Sequence, residues 1–242
     1  MALILDDIKA VVFDLGNTLI EFGPRQIKHF NEALERTLAG MFGACDRARL
    51  AEIRDHQMAA PYRNGLKEND RKNITIELIR NLYDIQPSEE QVDTLLTVRY
   101  NTFLEVVELP NNVLPLLNDL SKCYRLALVS NYPCGKSIRD ALGKIGLEGR
   151  FETIVVSGEV GYVKPHPLPF ETMLKRLDLA PKQCIYVGDT WLDDIQGAKR
   201  IGMQAIHTTQ YVPYKTFPPS EGDRQPGAVI GHIEDLRRLL LP

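Results

Sequence analysis

The chain has 242 residues, with 29 Lys+Arg against 32 Asp+Glu for a net charge of −3, and it is 44% hydrophobic and 25% charged. Those proportions belong to an ordinary globular protein and exclude a disordered tail or a collagen-like rod. Near-balanced charge with no Lys/Arg-rich block leaves no electrostatic footprint for nucleic acid or for an anionic membrane face.

The first stretch, MALILDDIKAVVFD, carries no basic n-region, and Asp6 and Asp7 cut its apolar run far short of a signal sequence. Ala10 to Phe13 (AVVF) is rich in β-branched residues and stops at Asp14 and the turn-forming pair Gly16-Asn17, which predicts a buried parallel strand ending in a loop. From Arg25 to about Phe103 charged residues interleave with Leu, Ile, Met and Phe at three- and four-residue spacing. Three or four amphipathic helices without strands are expected there, one of them starting at the capping box Ser88-Glu89-Glu90-Gln91.

Beyond Leu109-Pro110 the pattern alternates: helix NVLPLLNDLSK, strand RLALVSN, helix GKSIRDALGKIG, strand ETIVVSG, helix LPFETMLKRLDL, strand CIYVGD, helix DIQGAKRIG, strand QAIHT. Such alternation specifies an α/β fold, a doubly wound parallel sheet with a Rossmann-like core. The segment QYVPYKTFPPSEGDRQPGA, with four prolines, reads as a long loop before a last helix, IEDLRRLLL. The predicted organisation is a core of residues 1–21 and 106–242 with a smaller helical cap, 22–105, inserted after the first strand. Cys45, Cys123, Cys134 and Cys184 form no CxxC pair, which fits reduced thiols in a cytoplasmic protein. No stretch approaches the roughly 20 apolar residues of a membrane span.

In open α/β sheets ligands bind at the carboxyl ends of the strands. The polar residues placed there are Asp14, Ser130 and Asn131, Lys164, and Asp189 with Asp194. These parts suit phosphoryl transfer through an aspartate, since a carboxylate can accept a phosphoryl group where a metal masks the repulsion between two anions. Magnesium takes oxygen ligands, and Asp14, Asp189 and the Gly16 carbonyl could provide an inner shell. Ser130 can donate to a phosphoryl oxygen, and Lys164 adds positive charge where negative charge builds.

Four segments carry a resemblance that covers nearly the whole chain: FDLGNTLI (Phe13 to Ile20), LALVSN (Leu126 to Asn131), VKPHP (Val163 to Pro167) and GDTWLDDIQGAKRIGM (Gly188 to Met203). In this order they resemble the four motifs of the haloacid dehalogenase-like hydrolases, in particular the phosphatase branch with a helical cap. The resemblance implies Asp14 as nucleophile, Lys164 as the charge anchor beside it, and Asp14, Gly16, Asp189 and Asp194 around Mg2+. It further implies a phosphate-binding set of Thr18, Ser130, Asn131 and Lys164. Arg63, in the break between two cap helices, is a candidate substrate selector beside Tyr62. The expected partner is a small phosphorylated metabolite, met by a monomer or homodimer.

One position departs from the pattern. Phosphatases of this family usually carry a second aspartate two residues after the nucleophile, where this chain has Gly16. The missing proton shuttle is typically worth 10² to 10⁴-fold, roughly 3 to 5 kcal/mol. Three outcomes are open: a slow phosphatase, rescue by Glu21, Tyr132 or His166, or chemistry that needs no acid. Relatives without that aspartate include haloacid dehalogenases and phosphonoacetaldehyde hydrolases, and a binding protein without turnover is the remaining alternative. Asp193 is expected to serve the positive end of the following helix, and His207 receives no role.

Overall fold

The computed structural model describes residues 3–211 and 224–241. Its first strand, β1 (Ala10–Phe13), is wholly buried. Period-two alternation sends Val11 and Phe13 into one apolar cluster and Ala10 and Val12 into another on the opposite face. A strand buried on both faces has to read as a continuous apolar run, and AVVF does.

Four helices follow: α1 (Pro24–Phe42), α2 (Arg47–Arg63), α3 (Arg71–Tyr83) and α4 (Glu89–Val106). Their starts are chemically marked. Pro24 stands in the first turn of α1, and Asp46 and Asp70 accept backbone N–H groups of Arg49 and Asn73 at 3.0 and 2.8 Å. Ser88 and Gln91 form the reciprocal capping box that opens α4.

The chain then alternates through α5 (Val113–Leu120), β2 (Arg125–Ser130), α6 (Gly135–Lys144), β3 (Thr153–Val156), a single turn α7 (Ser157–Val160), α8 (Pro167–Leu177) and β4 (Cys184–Gly188). A π turn, Trp191–Gln196, leads into α9 (Gly197–Arg200), followed by β5 (Gln204–Thr208), β6 (Ala228–Ile230) and α10 (Asp235–Leu240). All strands are parallel, in the order β3-β2-β1-β4-β5-β6. This is the doubly wound Rossmann-like arrangement that the alternation predicts. Connections leave β1 towards β2 on one side, and the later strands continue from β4 on the other, so a crevice opens where β1 and β4 lie adjacent.

Local departures have local causes. The ETIVVSG segment stops being a strand at Val156, where Ser157 opens α7. The sixth strand is only three residues long, too short to show a period, and it lies within and just after the stretch read as loop. Of that loop, residues 212–223, including Tyr214 and Phe217, lie outside the described residues. Cys134 caps α6 by accepting the Ser137 N–H at its sulfur. No helix among the described residues is long and apolar enough to cross a membrane.

Candidate active site

Register places the first site residue. Phe13 pairs with Leu128 of β2 and Val187 of β4, so Asp14, the next residue, emerges beside Gly188 and the end of β2. Its backbone N–H still donates to Val187 O at 2.9 Å, which holds it to the sheet edge. Ser130 ends β2, and Asp189 follows β4. These residues, with Gly16, Asn131, Lys164, Asp193 and Asp194, line one pocket of about 250 Å³.

Lys164 is the centre of this arrangement. Its side chain is 2% exposed, and its Nζ lies 2.7 Å from Asp14 Oδ1 and 2.6 Å from Asp194 Oδ1. The ammonium also meets Tyr186 OH at 2.8 Å and Val129 O at 3.1 Å. Burial works against its charge, but Asp14 and Asp194 outweigh burial and hold the ammonium well above its ordinary value. Asn131 fixes the backbone of Lys164 from both ends of its amide: Oδ1 accepts the Lys164 N–H at 2.7 Å, and Nδ2 donates to Lys164 O at 3.1 Å. The side chain of Asn131 therefore works first as a staple between two loops.

Asp14, Asp189 and Asp194 each present one oxygen within 4.8 Å of the others. Burial, then repulsion from Asp14 and Asp194, pushes the Asp189 carboxyl up to about 8. Burial likewise pushes Asp14 up to about 6 against the pull of Lys164. Three buried carboxylates facing one ammonium make a site short of positive charge, and an all-oxygen donor set matches a hard divalent cation such as magnesium. The residues present thus fit the cation that the motifs imply.

The π turn and one glycine put Asp194 where it is. Asp194 and Ile195 both donate their N–H groups to Thr190 O, and the wider ring carries the Asp194 side chain back towards β4. There a Cβ on Gly188 would lie 2.4 Å from Asp194 Cγ, so only glycine leaves room for the carboxylate. Asp194 Oδ2 accepts the Thr190 N–H at 2.9 Å. His207, reached from β5, lies with Nε2 2.8 Å from the carbonyl oxygen of Asp189 and fixes that loop.

Asp193 has more to do than serve a helix end. Its Oδ2 accepts the Tyr62 hydroxyl at 2.5 Å and the Asn131 amide at 3.3 Å, so the end of cap helix α2 is tied to the core beside the pocket. Burial pushes its carboxyl up to about 7, the Tyr62 hydrogen bond opposing the rise. Arg63, one residue beyond Tyr62 and therefore about 100° further round the helix, is exposed and does not line this pocket. Thr18 is also outside the pocket wall: it is wholly buried, and its hydroxyl finds no partner among the described residues. His166 caps α8, with Nδ1 accepting the Leu168 N–H at 3.1 Å, and Glu21 is exposed. Tyr132 is the rescue candidate that lies on the pocket wall.

Gly16 is not held as glycine by its backbone. A Cβ built there meets only Phe22 Cβ at 3.7 Å, an ordinary contact. The missing carboxylate is a difference in chemistry and not a steric requirement.

A parallel α/β sheet with a buried lysine bridging two carboxylates at its switch point, and with four helices inserted between β1 and β2, defines a Rossmann-like protein with an acidic pocket at the strand ends. The sequence profile of the haloacid dehalogenase-like hydrolases matches residues 11–208, and the chain belongs to that family. It is 26% identical to the glyceraldehyde 3-phosphate phosphatase of Methanopyrus kandleri, covering 95% of each chain. It is 32% identical to the enzyme of that name from Methanothermobacter thermautotrophicus over 54% of this chain and 58% of that one. Among solved structures it resembles a 2-haloacid dehalogenase from Pseudomonas syringae, with a TM-score of 0.75, 26% identity, and 96% and 98% of the two chains covered.

Proposed function

We propose that this hydrolase is a magnesium-dependent phosphomonoesterase of a small metabolite, acting through an aspartyl-phosphate at Asp14. The observation that carries the reading is Lys164, buried between Asp14 and Asp194 with Asp189 alongside. Lys164 grips Asp14 Oδ1 and so orients the carboxylate at the mouth of the crevice. An Asp14 oxygen attacks phosphorus and the ester P–O bond breaks, the leaving alkoxide taking a proton from solvent. Water then attacks phosphorus, and cleavage of the acyl-phosphate P–O bond returns Asp14 as carboxylate and releases phosphate.

Magnesium would be held by Asp14, Asp189, Asp194 and the Gly16 carbonyl, and when bound it offsets the repulsion between phosphoryl oxygens and carboxylates. Ser130 lines the pocket with a hydroxyl that donates to a phosphoryl oxygen, and Asn131 keeps Lys164 in place. Residues 22–105 act as the cap over the reacting atoms, with Tyr62 and Asp193 as one tie to the core 1–21 and 106–242. The four cysteines are free, in keeping with a cytoplasmic enzyme.

With no acid at Gly16, good leaving groups are favoured. Hydrolysis of p-nitrophenyl phosphate should require Mg2+, stop with EDTA, and be lost in Asp14→Asn, while alkyl phosphates react far more slowly. A second reading, halide displacement from a 2-haloacid by Asp14, is favoured by Gly16 and by the resemblance to the Pseudomonas syringae enzyme. Chloride release from 2-chloropropanoate that persists in EDTA, without phosphate release from any ester, would establish it instead.

A further inference from the structure

Next to the Asp14 pocket, and sharing Phe22, Asn131 and Tyr132 with it, a second cavity of about 280 Å³ opens under the cap. Most of its wall is apolar, but Arg54 of α2 and Arg99 of α4 both line it. Neither arginine forms a salt bridge among the described residues. Arg54 lies over the Phe30 ring, 5.3 Å from its centroid. Arg99 is the sharper case: its Nε and Nη2 are shut off from solvent and have no hydrogen-bond partner among the described residues. The acid on this wall, Glu68, is turned to other donors, the Ser157 hydroxyl and the Asn69 N–H.

A buried guanidinium without a partner is costly, and proteins keep such groups where a ligand completes them. Burial, with repulsion from Arg54, lowers Arg99 to about 10, so an anion between the two would favour both charges. A guanidinium is planar and carries its N–H groups as a fork that meets the two oxygens of a carboxylate side by side. Gln57, Asn69 and Tyr62 on the same wall already donate to the Ile74 carbonyl, the Gln57 carbonyl and Asp193, so recognition of an anion here falls to the two arginines.

We propose that the Arg99 and Arg54 cavity is a carboxylate subsite, and that the substrate is a phosphomonoester whose organic part carries a carboxylate. The proposal rests on the reading of the Asp14 pocket as the phosphoryl site. With the phosphoryl group at Asp14, the organic part runs past Phe22 and Tyr132, which border both cavities, to the arginines.

The test is calorimetric binding to the full chain with Mg2+, using the non-hydrolysable pair 3-phosphonopropanoate and propylphosphonate. Wild-type protein should bind the carboxylated ligand at least about 10-fold more tightly. Arg99→Gln should bring that ratio to within about 3-fold, and Arg99→Lys should fall between, since it keeps charge but loses the two-donor edge. Equal affinities in the wild type overturn the proposal with no variant involved, as does a ratio that survives in folded Arg99→Gln. Succinate, which has no phosphoryl group, separates the two readings. If it binds and is lost in Arg99→Gln while 3-phosphonopropanoate does not compete with inorganic phosphate, the subsite stands and the phosphoryl reading of Asp14 fails.

Discussion

Lys164 bridges two buried carboxylates that would otherwise face each other without a countercharge. Replacing it with methionine leaves Asp14 and Asp194 uncompensated, and breaking a buried ion pair from one side costs about 3 to 5 kcal/mol. Urea denaturation of Lys164→Met should show a loss of that size together with loss of turnover; unchanged stability would mean that the carboxylates are neutral without the lysine. Gly16 offers the opposite experiment. Because the site has room for a side chain, Gly16→Asp should fold normally and raise alkyl phosphate hydrolysis by about 10² to 10⁴-fold. A gain confined to aryl esters would argue against a restored proton shuttle. At this scale Asp14, Ser130 and Asp189 stand out in the sequence because each ends or follows an apolar strand run, whereas Lys164 and Asp194 lie several residues beyond β3 and β4. Tyr186 and His207 do not stand out, because a tyrosine or histidine inside a buried strand looks like core until its partner, Lys164 or the Asp189 carbonyl, is known.

The element that completes the acidic cluster is the π turn after β4. Its extra residue swings Asp194 across Gly188, at a distance no Cβ tolerates. Gly188→Ala should therefore displace Asp194 and weaken magnesium binding by about 10-fold or more, measured by metal titration. Unchanged metal affinity would show that Asp194 is dispensable to the cation. A regular helix was the natural reading of DIQGAKRIG, since one inserted residue leaves the apolar period nearly intact. The π geometry is set by the Thr190 carbonyl accepting two N–H groups, which spacing does not encode. The cap helices were legible for the converse reason: their caps are local, as at Ser88 and Gln91.

Across the whole molecule, the apolar residues of one sheet face and of the cap helices form one cluster, in which Leu34, Leu38 and Phe103 belong with Phe13 and Leu128. Leu38→Ala should cost about 2 to 5 kcal/mol and lower a single cooperative calorimetric transition, where an independent cap would give two. The acidic cluster adds a pH dependence. Asp189 at about 8 and Asp14 at about 6 both lie above the ordinary 3.8, so the folded metal-free chain holds more protons than the unfolded one across that window. The stability these groups contribute is full at acid pH and is lost as pH rises through 6 and then 8. Magnesium needs them ionised, so the rise in Tm on replacing EDTA with Mg2+ should grow from pH 5 to pH 8. A constant increment would rule out this linkage.

The sequence by itself determined the parallel α/β core, the inserted helices and the acids that directly follow β1 and β4, because hydrophobic period and capping act over a few residues. Only the tertiary structure decided that Asn131 holds Lys164 and that Tyr62, not Arg63, reaches the core. It alone left Arg99 Nε and Nη2 without a partner among the described residues, beside the pocket. Each of these depends on which side chains meet across elements far apart in the chain, and so on packing geometry that no local pattern records.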